Sequence, residues 1–292
     1  MEIHTRQFPK RVGSVVTAAL LVFGLGTQAI PNASAQTANI VALGDSLSAN
    51  PNNLELAAAN NPELREQLNI PPTAPGKCVN GADNFPIRLG QQLGLPVENY
   101  ACAGGTVEVA PVMGTNLEFQ TTNAIEQGAL NADTRVVTMT FGYNDFYQDP
   151  DREKPVEQRK AEASAAMEAQ VQRIRAAAPN ARIIMAGYPD LTDGQNNICP
   201  TNVLGLTSHI YSPFFTFAQN EIQDWQRTIT SQLGITYLDM KEEINVANNN
   251  NGCSNNPERY SAALIDSAEH QLWGHLTANG NQYYADRIQS VL

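Results

Sequence analysis

The sequence predicts an α/β fold in which helices cover both faces of a parallel β-sheet. Short segments rich in apolar and β-branched residues alternate along the chain with longer segments whose apolar residues recur at helical spacing. Parallel strands need crossover connections, which are usually helices, so this alternation favours a parallel sheet. No Pro-, Gly- or Ser-rich linker divides the 292 residues, which favours one domain after the N-terminal segment.

Five strands and five main helices are predicted. The strands, short and rich in β-branched or apolar residues, are expected at 39–43, 97–101, 135–141, 182–186 and 235–238. The helices are expected at 85–93, 117–130, 155–178, 214–233 and 278–291, the last of them capped by Thr277. Segment 52–70 is expected to be loop with helical pieces, and 248–251 is expected to be a polar loop.

Residues 1–35 are predicted to be a cleavable secretory signal peptide. They begin with basic residues at positions 6, 10 and 11, continue with the uncharged apolar segment 12–26, and end in the small residues Ala33-Ser34-Ala35. An uncleaved anchor is the alternative, but the apolar segment is short for a bilayer span of about 20 residues. We therefore expect a secreted protein whose folded domain is 36–292, with no transmembrane segment in the mature chain.

The charge balance excludes two classes of partner. The chain has 18 Lys and Arg against 29 Asp and Glu, a formal net charge of −11. Phosphate contacts need clustered basic side chains, so a nucleic-acid binder is not expected, and neither is electrostatic docking on anionic membranes. We expect a monomer that acts on a small-molecule, lipid or glycan ester.

Four cysteines lie in the predicted mature chain: Cys78, Cys102, Cys199 and Cys253. An even number in an exported chain predicts two disulfides, for which three pairings are possible. Cys78–Cys102 and Cys199–Cys253 are favoured because sequence neighbours close the smaller loops. No closely spaced Cys/His pair is present, so we expect no metal site.

Ligands of parallel sheets bind at the carboxyl ends of the strands, where Ser46 follows the first predicted strand. A serine hydroxyl is a poor nucleophile and needs an adjacent base. His275, just before the last capped helix, is the candidate base, whereas His209 and His270 are interpreted as ordinary surface or packing residues. By itself the Gly-Asp-Ser tripeptide is equally compatible with a plain turn.

Acyl transfer also needs hydrogen-bond donors for a developing oxyanion. The backbone N–H of Ser46, the backbone N–H of Gly104 and the side-chain amide of Asn144 are the candidates. Each has a simpler interpretation, Gly104 as a turn and Asn144 as a strand terminator. Their shared position after successive predicted strands favours a common site.

These motifs together resemble the SGNH, or GDSL, hydrolase family. Its sequence blocks correspond here to Gly44-Asp45-Ser46-Leu47, Gly104, Gly142-Tyr143-Asn144-Asp145 and His275, in the same order across nearly the whole mature chain. The segment Gly187-Tyr188-Pro189 is similar to one in secreted actinobacterial members. The resemblance implies a flavodoxin-like three-layer α/β/α fold with a five-stranded parallel sheet. It also implies ester hydrolysis through an acyl-serine at Ser46, with no metal or cofactor.

One departure from the family concerns the partner of His275. The family usually has Asp three residues before the histidine, where this chain has Leu272. We hypothesise that His275 Nδ1–H donates to a main-chain carbonyl, that of Leu272 being the candidate. Asp266, Glu269 and Asp239 are possible carboxylate substitutes.

The predicted function is a secreted serine esterase or lipase acting on carboxylic esters. An acyltransferase or deacetylase on cell-envelope glycans or lipids would use the same residues, and a non-catalytic carbohydrate- or lipid-binding module is an alternative of another class. The α/β-hydrolase elbow is absent, because Ser48 occupies its second Gly position. Residues that could line an acyl groove, or simply pack in the core, are Leu204, Leu206, Ile210, Phe214 and Phe215.

Overall fold

The structure is a computed structural model that describes residues 38–59, 61–112, 114–148 and 154–292. The predicted signal segment 1–35 lies outside the described residues. The described part is organised by a five-stranded sheet with apolar clusters on its two faces. This architecture places the ends of several strands next to one another, which determines where a site can form.

The strands are short and most of them form one parallel sheet. In chain order they are β1 (Ile40–Gly44), β2 (Val97–Asn99), β3 (Val136–Thr140), β4 (Arg182–Ala186), β5 (Asn197–Ile198), β6 (Thr201–Val203), β7 (Leu206–Thr207), β8 (Ile210–Tyr211), β9 (Thr236–Leu238) and β10 (Ile265–Asp266). The central sheet has the order β2-β1-β3-β4-β9, with every neighbouring pair parallel. Counted within the sheet, this is the flavodoxin-like order 2-1-3-4-5. The predicted fold class is thereby confirmed.

Several helices begin where the sequence provides a side-chain cap. They are α1 (Ser46–Ala49), α2 (Asn53–Ala59), α3 (Pro62–Gln67), α4 (Phe85–Leu93), α5 (Leu117–Glu126), α6 (Tyr143–Gln148), α7 (Val156–Ala177), α8 (Pro213–Leu233), α9 (Met240–Glu243) and α10 (Ala278–Gln289). Asn84 caps α4 by accepting from the Ile87 N–H, and Thr277 caps α10 by accepting from the Gly280 N–H. None of the helices in the described ranges combines the length and apolarity needed to cross a membrane.

Alternate residues of the strands contribute side chains to two apolar clusters, one on each face of the sheet. On one face, Val41 and Val137 pack with helices α5 and α7 and with the Trp225 part of α8. On the other face, Ile40 and Ile184 pack with helices α4 and α10. Because the strands are covered on both faces, they read as continuous apolar runs, which is why the sequence reveals them so clearly.

Several elements differ from the prediction. Helix α6 follows β3, where no helix was predicted, whereas segment 52–70 contains the expected helical pieces, α2 and α3. The predicted strand 97–101 ends at Asn99, whose side chain accepts from the Ala101 N–H at 2.9 Å and turns the chain away. The pairings β5–β8 and β6–β7 are too short to leave a period-two pattern, so these strands were not predicted.

Both predicted disulfides are present. Cys78 is bonded to Cys102 with a Cα–Cα distance of 5.2 Å, and Cys199 is bonded to Cys253 with a Cα–Cα distance of 5.3 Å. The first bridge anchors the segment that follows β2 beside the end of β1. The second joins the region of β5 and β6 to the loop preceding β10. Both therefore constrain loops at or near the carboxyl ends of the central strands.

The docking of α10 depends on Gly280. A Cβ at this position would lie 1.8 Å from the Tyr260 carbonyl oxygen, which is main chain and cannot rotate away. We expect Gly280→Ala to lower the free energy of unfolding by about 2–3 kcal/mol through overpacking. Denaturant unfolding measures this loss, with Asn279→Ala on the exposed face of the same helix turn as control. Equal stability of the two variants would contradict the prediction.

Candidate active site

A cleft of about 530 Å³ lies at the carboxyl ends of β1, β3 and β4. The described residues that line it are Asp45, Ser46, Leu47, Tyr143, Asn144, Tyr147, Tyr188, Pro189, Leu191, Gly274 and His275. Three of the residues predicted from sequence, Ser46, Asn144 and His275, therefore meet in one cleft. Gly104 is not among the lining residues, and Leu272 is buried beside the histidine loop.

Ser46 is positioned by a tight turn at the end of β1. Gly44 has φ +158, and a Cβ there would approach the Ser48 side chain at 2.8 Å and the Thr140 carbonyl at 3.0 Å. Asp45 then caps α1, its Oδ1 accepting from the Leu47 N–H at 2.9 Å. Ser46 is the first residue of α1, and its Oγ lies 2.7 Å from His275 Nε2.

The other ring nitrogen of His275 contacts the main chain. Nδ1 lies 2.7 Å from the Trp273 carbonyl oxygen. A carbonyl can only accept, so Nδ1 carries the proton and the Nε2 lone pair faces the Ser46 hydroxyl. The imidazole is thereby held in the tautomer that a general base requires.

The hypothesis that Leu272 supplies this carbonyl is wrong by one residue. The Leu272 carbonyl accepts instead from the backbone N–H of His275, at 3.3 Å. Gly274 between them has φ +68, and this left-handed turn brings the imidazole over the carbonyl two residues back. The kind of partner, a main-chain carbonyl, is as predicted.

The candidate carboxylate substitutes lie elsewhere. Asp266 forms a buried ion pair with Arg259, and Asp239 accepts from Arg227 Nε at 2.5 Å. No hydrogen bond or ion pair joins Asp266, Asp239 or Glu269 to His275 within the part of the chain that the structure describes. A carboxylate therefore does not orient this imidazole.

The electrostatics of the cleft favour a neutral His275. Burial is the largest influence and lowers the pKa of His275 below its ordinary 6.5. The nearby His270 lowers the pKa further, while the Trp273 carbonyl raises it. At neutral pH the imidazole is consequently unprotonated, as proton removal from Ser46 requires.

Asn144, the second residue of α6, has its amide fixed from two sides. Nδ2 donates to the Gly105 carbonyl at 2.8 Å and lies 3.5 Å from Asp45 Oδ2. Oδ1 accepts from the Tyr147 hydroxyl at 2.6 Å. The amide nitrogen is therefore directed at the strand ends that surround Ser46.

Gly104 lies in the segment that follows β2, next to Gly105, whose carbonyl accepts from Asn144 Nδ2. It has φ +82, in the left-handed region that glycine adopts without strain, and its carbonyl accepts from Gln148 Nε2 at 3.1 Å. The same segment is tied to the end of β1 by the Cys102 N–H, which donates to the Gly44 carbonyl at 3.0 Å. The segment thus touches both the nucleophile turn and, through Gly105, the Asn144 amide.

Two buried carboxyls next to the cleft were not singled out from sequence. Burial raises the pKa of Asp45 to about 7 and that of Asp145 to about 6. Hydrogen bonds to the carboxyls oppose this rise in pKa. Asp45 accepts from the Tyr188 hydroxyl and the Leu47 N–H. Asp145 accepts from the N–H groups of Val107 and Glu108. In sequence, Asp45 directly precedes Ser46 and Asp145 directly follows Asn144. This position was the signal that could have identified them.

The remaining sequence candidates fall outside the cleft. Leu204, Leu206, Ile210 and Phe214 are mostly exposed, and none of them, nor Phe215, is among the described lining residues. The apolar part of the wall comes from Leu47, Leu191 and tyrosine rings instead. In the described ranges, no cluster of three or more His, Cys, Asp or Glu side chains has the spacing of a metal site.

Comparison with known proteins places this geometry in a family. The sequence model of the GDSL-like lipase/acylhydrolase family matches residues 42–283. A search of curated proteins found no match.

Two of the solved structures that share the fold illustrate the similarity. Phospholipase A1 from Streptomyces albidoflavus NA297 has 18% identity and a TM-score of 0.51, covering 87% of this chain and 99% of that one. An extracellular lipase from Streptomyces rimosus has 18% identity and a TM-score of 0.52, covering 88% of this chain and 100% of that one. With most of its length matched, the chain belongs to the GDSL-like lipase/acylhydrolase family.

Proposed function

We propose that the protein is a secreted carboxylic ester hydrolase that acts through an acyl-serine intermediate on Ser46. The observation that carries the proposal is the 2.7 Å contact between Ser46 Oγ and His275 Nε2, with Nδ1 held by the Trp273 carbonyl. A nucleophile, a base and a group that orients the base are the three parts that acyl transfer to serine needs.

In the acylation step, His275 Nε2 removes the hydroxyl proton while Ser46 Oγ attacks the ester carbonyl carbon. The backbone N–H groups of Ser46 and Gly104 and the amide of Asn144 stabilise the resulting oxyanion. The Ser46 N–H lies in the first turn of α1, where backbone donors have no intrahelical acceptor. The tetrahedral intermediate then collapses, and the alcohol leaves with the proton that His275 returns.

In the deacylation step, water takes the place of the alcohol. His275 removes its proton, the water oxygen attacks the acyl carbon, and Ser46 leaves as the restored hydroxyl. The Trp273 carbonyl keeps the tautomer fixed during both proton transfers. A neutral carbonyl stabilises the imidazolium less than a carboxylate does, so the oxyanion donors carry a larger share of the catalysis.

The wall of the cleft supports an acyl or alkyl ester rather than a charged substrate. Leu47, Leu191, Pro189 and the rings of Tyr143 and Tyr147 form most of it. A pocket with an apolar wall and a few convergent polar groups is the usual form of a small-molecule site. The acyl chain is proposed to lie against this wall, with its carbonyl at Ser46.

Export is supported by two features. The basic, apolar and small-residue parts of segment 1–35 have the order of a cleavable signal. The two disulfides, Cys78–Cys102 and Cys199–Cys253, are of a kind that persists outside the reducing cytosol.

The function is tested by Ser46→Ala with p-nitrophenyl acetate and butyrate. Removing the nucleophile is expected to lower kcat by about 10⁴-fold or more, leaving only the residual rate that the oxyanion donors and substrate binding supply. A fluorophosphonate probe should label the wild type and fail to label the variant. Ser48→Ala, two residues away in the same helix, is the control and should retain labelling. Wild-type turnover in Ser46→Ala would remove the assignment.

The pH dependence of kcat/KM tests the role of His275. The base must be neutral, and burial lowers its pKa, so the acid limb should have its midpoint below 6.5. His270→Gln removes a neighbour that lowers the pKa of His275 and is expected to move the midpoint to higher pH. A wild-type midpoint above 6.5 would contradict this role.

A further inference from the structure

The Gly187-Tyr188-Pro189 segment has no part in the steps above, yet Tyr188 occupies the centre of the strand ends. Its hydroxyl donates to Asp45 Oδ2 at 2.5 Å and accepts from the Tyr143 N–H at 3.4 Å. Asp45 follows β1, Tyr143 follows β3 and Tyr188 follows β4, and these strands are neighbours in the sheet. One phenol therefore links the turns of three adjacent strands.

We propose that Tyr188 is a positioning residue that holds the Ser46 turn in register with the Asn144 turn through the carboxylate of Asp45. The inference rests on the proposed function, since it concerns how the same site is kept in reactive geometry. Tyr188 acts through Asp45 rather than on the reacting atoms.

Asp45 is suited to transmit the position of Tyr188. Its Oδ1 accepts from the Leu47 N–H at 2.9 Å, which fixes the first turn of α1 and with it Ser46. Its Oδ2, which receives the Tyr188 hydroxyl, lies 3.5 Å from Asn144 Nδ2. A shift of this one carboxyl would move the nucleophile and the amide relative to each other.

The Tyr188 hydroxyl is also the main support for the charge of Asp45. The carboxyl is 1% exposed. Among the described residues, four titratable groups interact electrostatically with the Asp45 carboxyl: Tyr188, Asp145, Tyr147 and Tyr284. None of them is a cation. The largest hydrogen-bond contribution that favours the ionised form comes from Tyr188. Without that donor, an ionised Asp45 would have to move toward another one.

The ring of Tyr188 is itself held in place. It meets the Tyr143 ring edge-on, with centroids 4.6 Å apart and an interplanar angle of 88°. Phenylalanine would keep this packing and lose only the hydroxyl. Tyr188→Phe therefore separates the hydrogen bonds of the hydroxyl, to Asp45 and from the Tyr143 N–H, from the shape of the cleft wall.

The matched control is Tyr100→Phe. Tyr100 is 1% exposed, and its hydroxyl donates to Gln127 Oε1 at 2.9 Å, away from the cleft residues. Both variants lose one buried phenolic hydroxyl. With p-nitrophenyl acetate, Tyr188→Phe is expected to lower kcat about 10- to 100-fold and to change KM less than about twofold, because misplaced reacting groups chiefly cost turnover. Tyr100→Phe should stay within about twofold of the wild type for both constants.

A double-mutant cycle and a pH series separate positioning from a merely structural loss. In an Asp45→Asn background, Tyr188→Phe should lower kcat less than about threefold, because the two residues act as a unit. The fall in Tm caused by Tyr188→Phe should be larger at pH 8.5 than at pH 5. Asp45 is ionised only above a pKa of about 7, and the charged form gains most from the donor.

A kcat of Tyr188→Phe equal to that of Tyr100→Phe would overturn the inference, and so would an equal loss with and without Asp45. Ser46→Ala in the same assay separates the two proposals. Retained turnover in Ser46→Ala would remove the proposed function, whereas its loss together with an unaffected Tyr188→Phe would overturn the role of Tyr188 alone.

Discussion

The contact between Ser46 Oγ and His275 Nε2 is the constraint on which the site depends, because it joins residues 229 positions apart in sequence. Ser46 is held by β1, at the interior of the sheet. The histidine loop is held by its own neighbours, since the Ala262 N–H donates to the His275 carbonyl and the Thr277 N–H to the Tyr260 carbonyl. Docking of α10 against α4 completes the connection. The reactive distance is thus a property of the whole fold.

The distribution of charge around this contact is unusual for a serine nucleophile. The histidine is oriented by a main-chain carbonyl, and the carboxyl nearest the serine, Asp45, contacts a phenol instead of the imidazole. Burial disfavours the ionised carboxyl, and hydrogen bonds restore part of the balance. The site therefore combines a neutral base with a buried acid whose pKa burial raises to about 7. In the mechanism and the inference proposed above, the Asp45 carboxyl fixes geometry, while amide donors stabilise the developing charge.

The sequence was sufficient to predict element boundaries where the physical signal is local, and site residues where the order of the motifs identifies them. Strand β4 and helix α4 begin and end at the predicted residues, because buried strands read as apolar runs and caps have recognisable side chains. Ser46 and His275 were identified as partners from their motifs. The Trp273 carbonyl was not identified as the partner of His275. The backbone angles at Gly274 determine which carbonyl faces the ring nitrogen, and the sequence indicates these angles only through the presence of a glycine. Tyr147 and Tyr188 were missed as hydrogen-bond donors because such contacts depend on the packing of three strand ends.

The resting position of the Asn144 amide shows how donors can be aligned before substrate arrives. One strong bond at 2.8 Å anchors Nδ2 to the Gly105 carbonyl, and the Tyr147 hydroxyl fixes Oδ1 from the opposite side. The remaining approach, to Asp45 Oδ2, is 3.5 Å long and therefore weak. An oxyanion forming at Ser46 would compete only with this weak contact, so the donor loses little when it turns to the substrate. In the proposed mechanism, an amide anchored at one hydrogen and loosely held at the other would be organised for the transition state before substrate binds, which is the condition for a donor to lower the barrier and not merely to bind the ester.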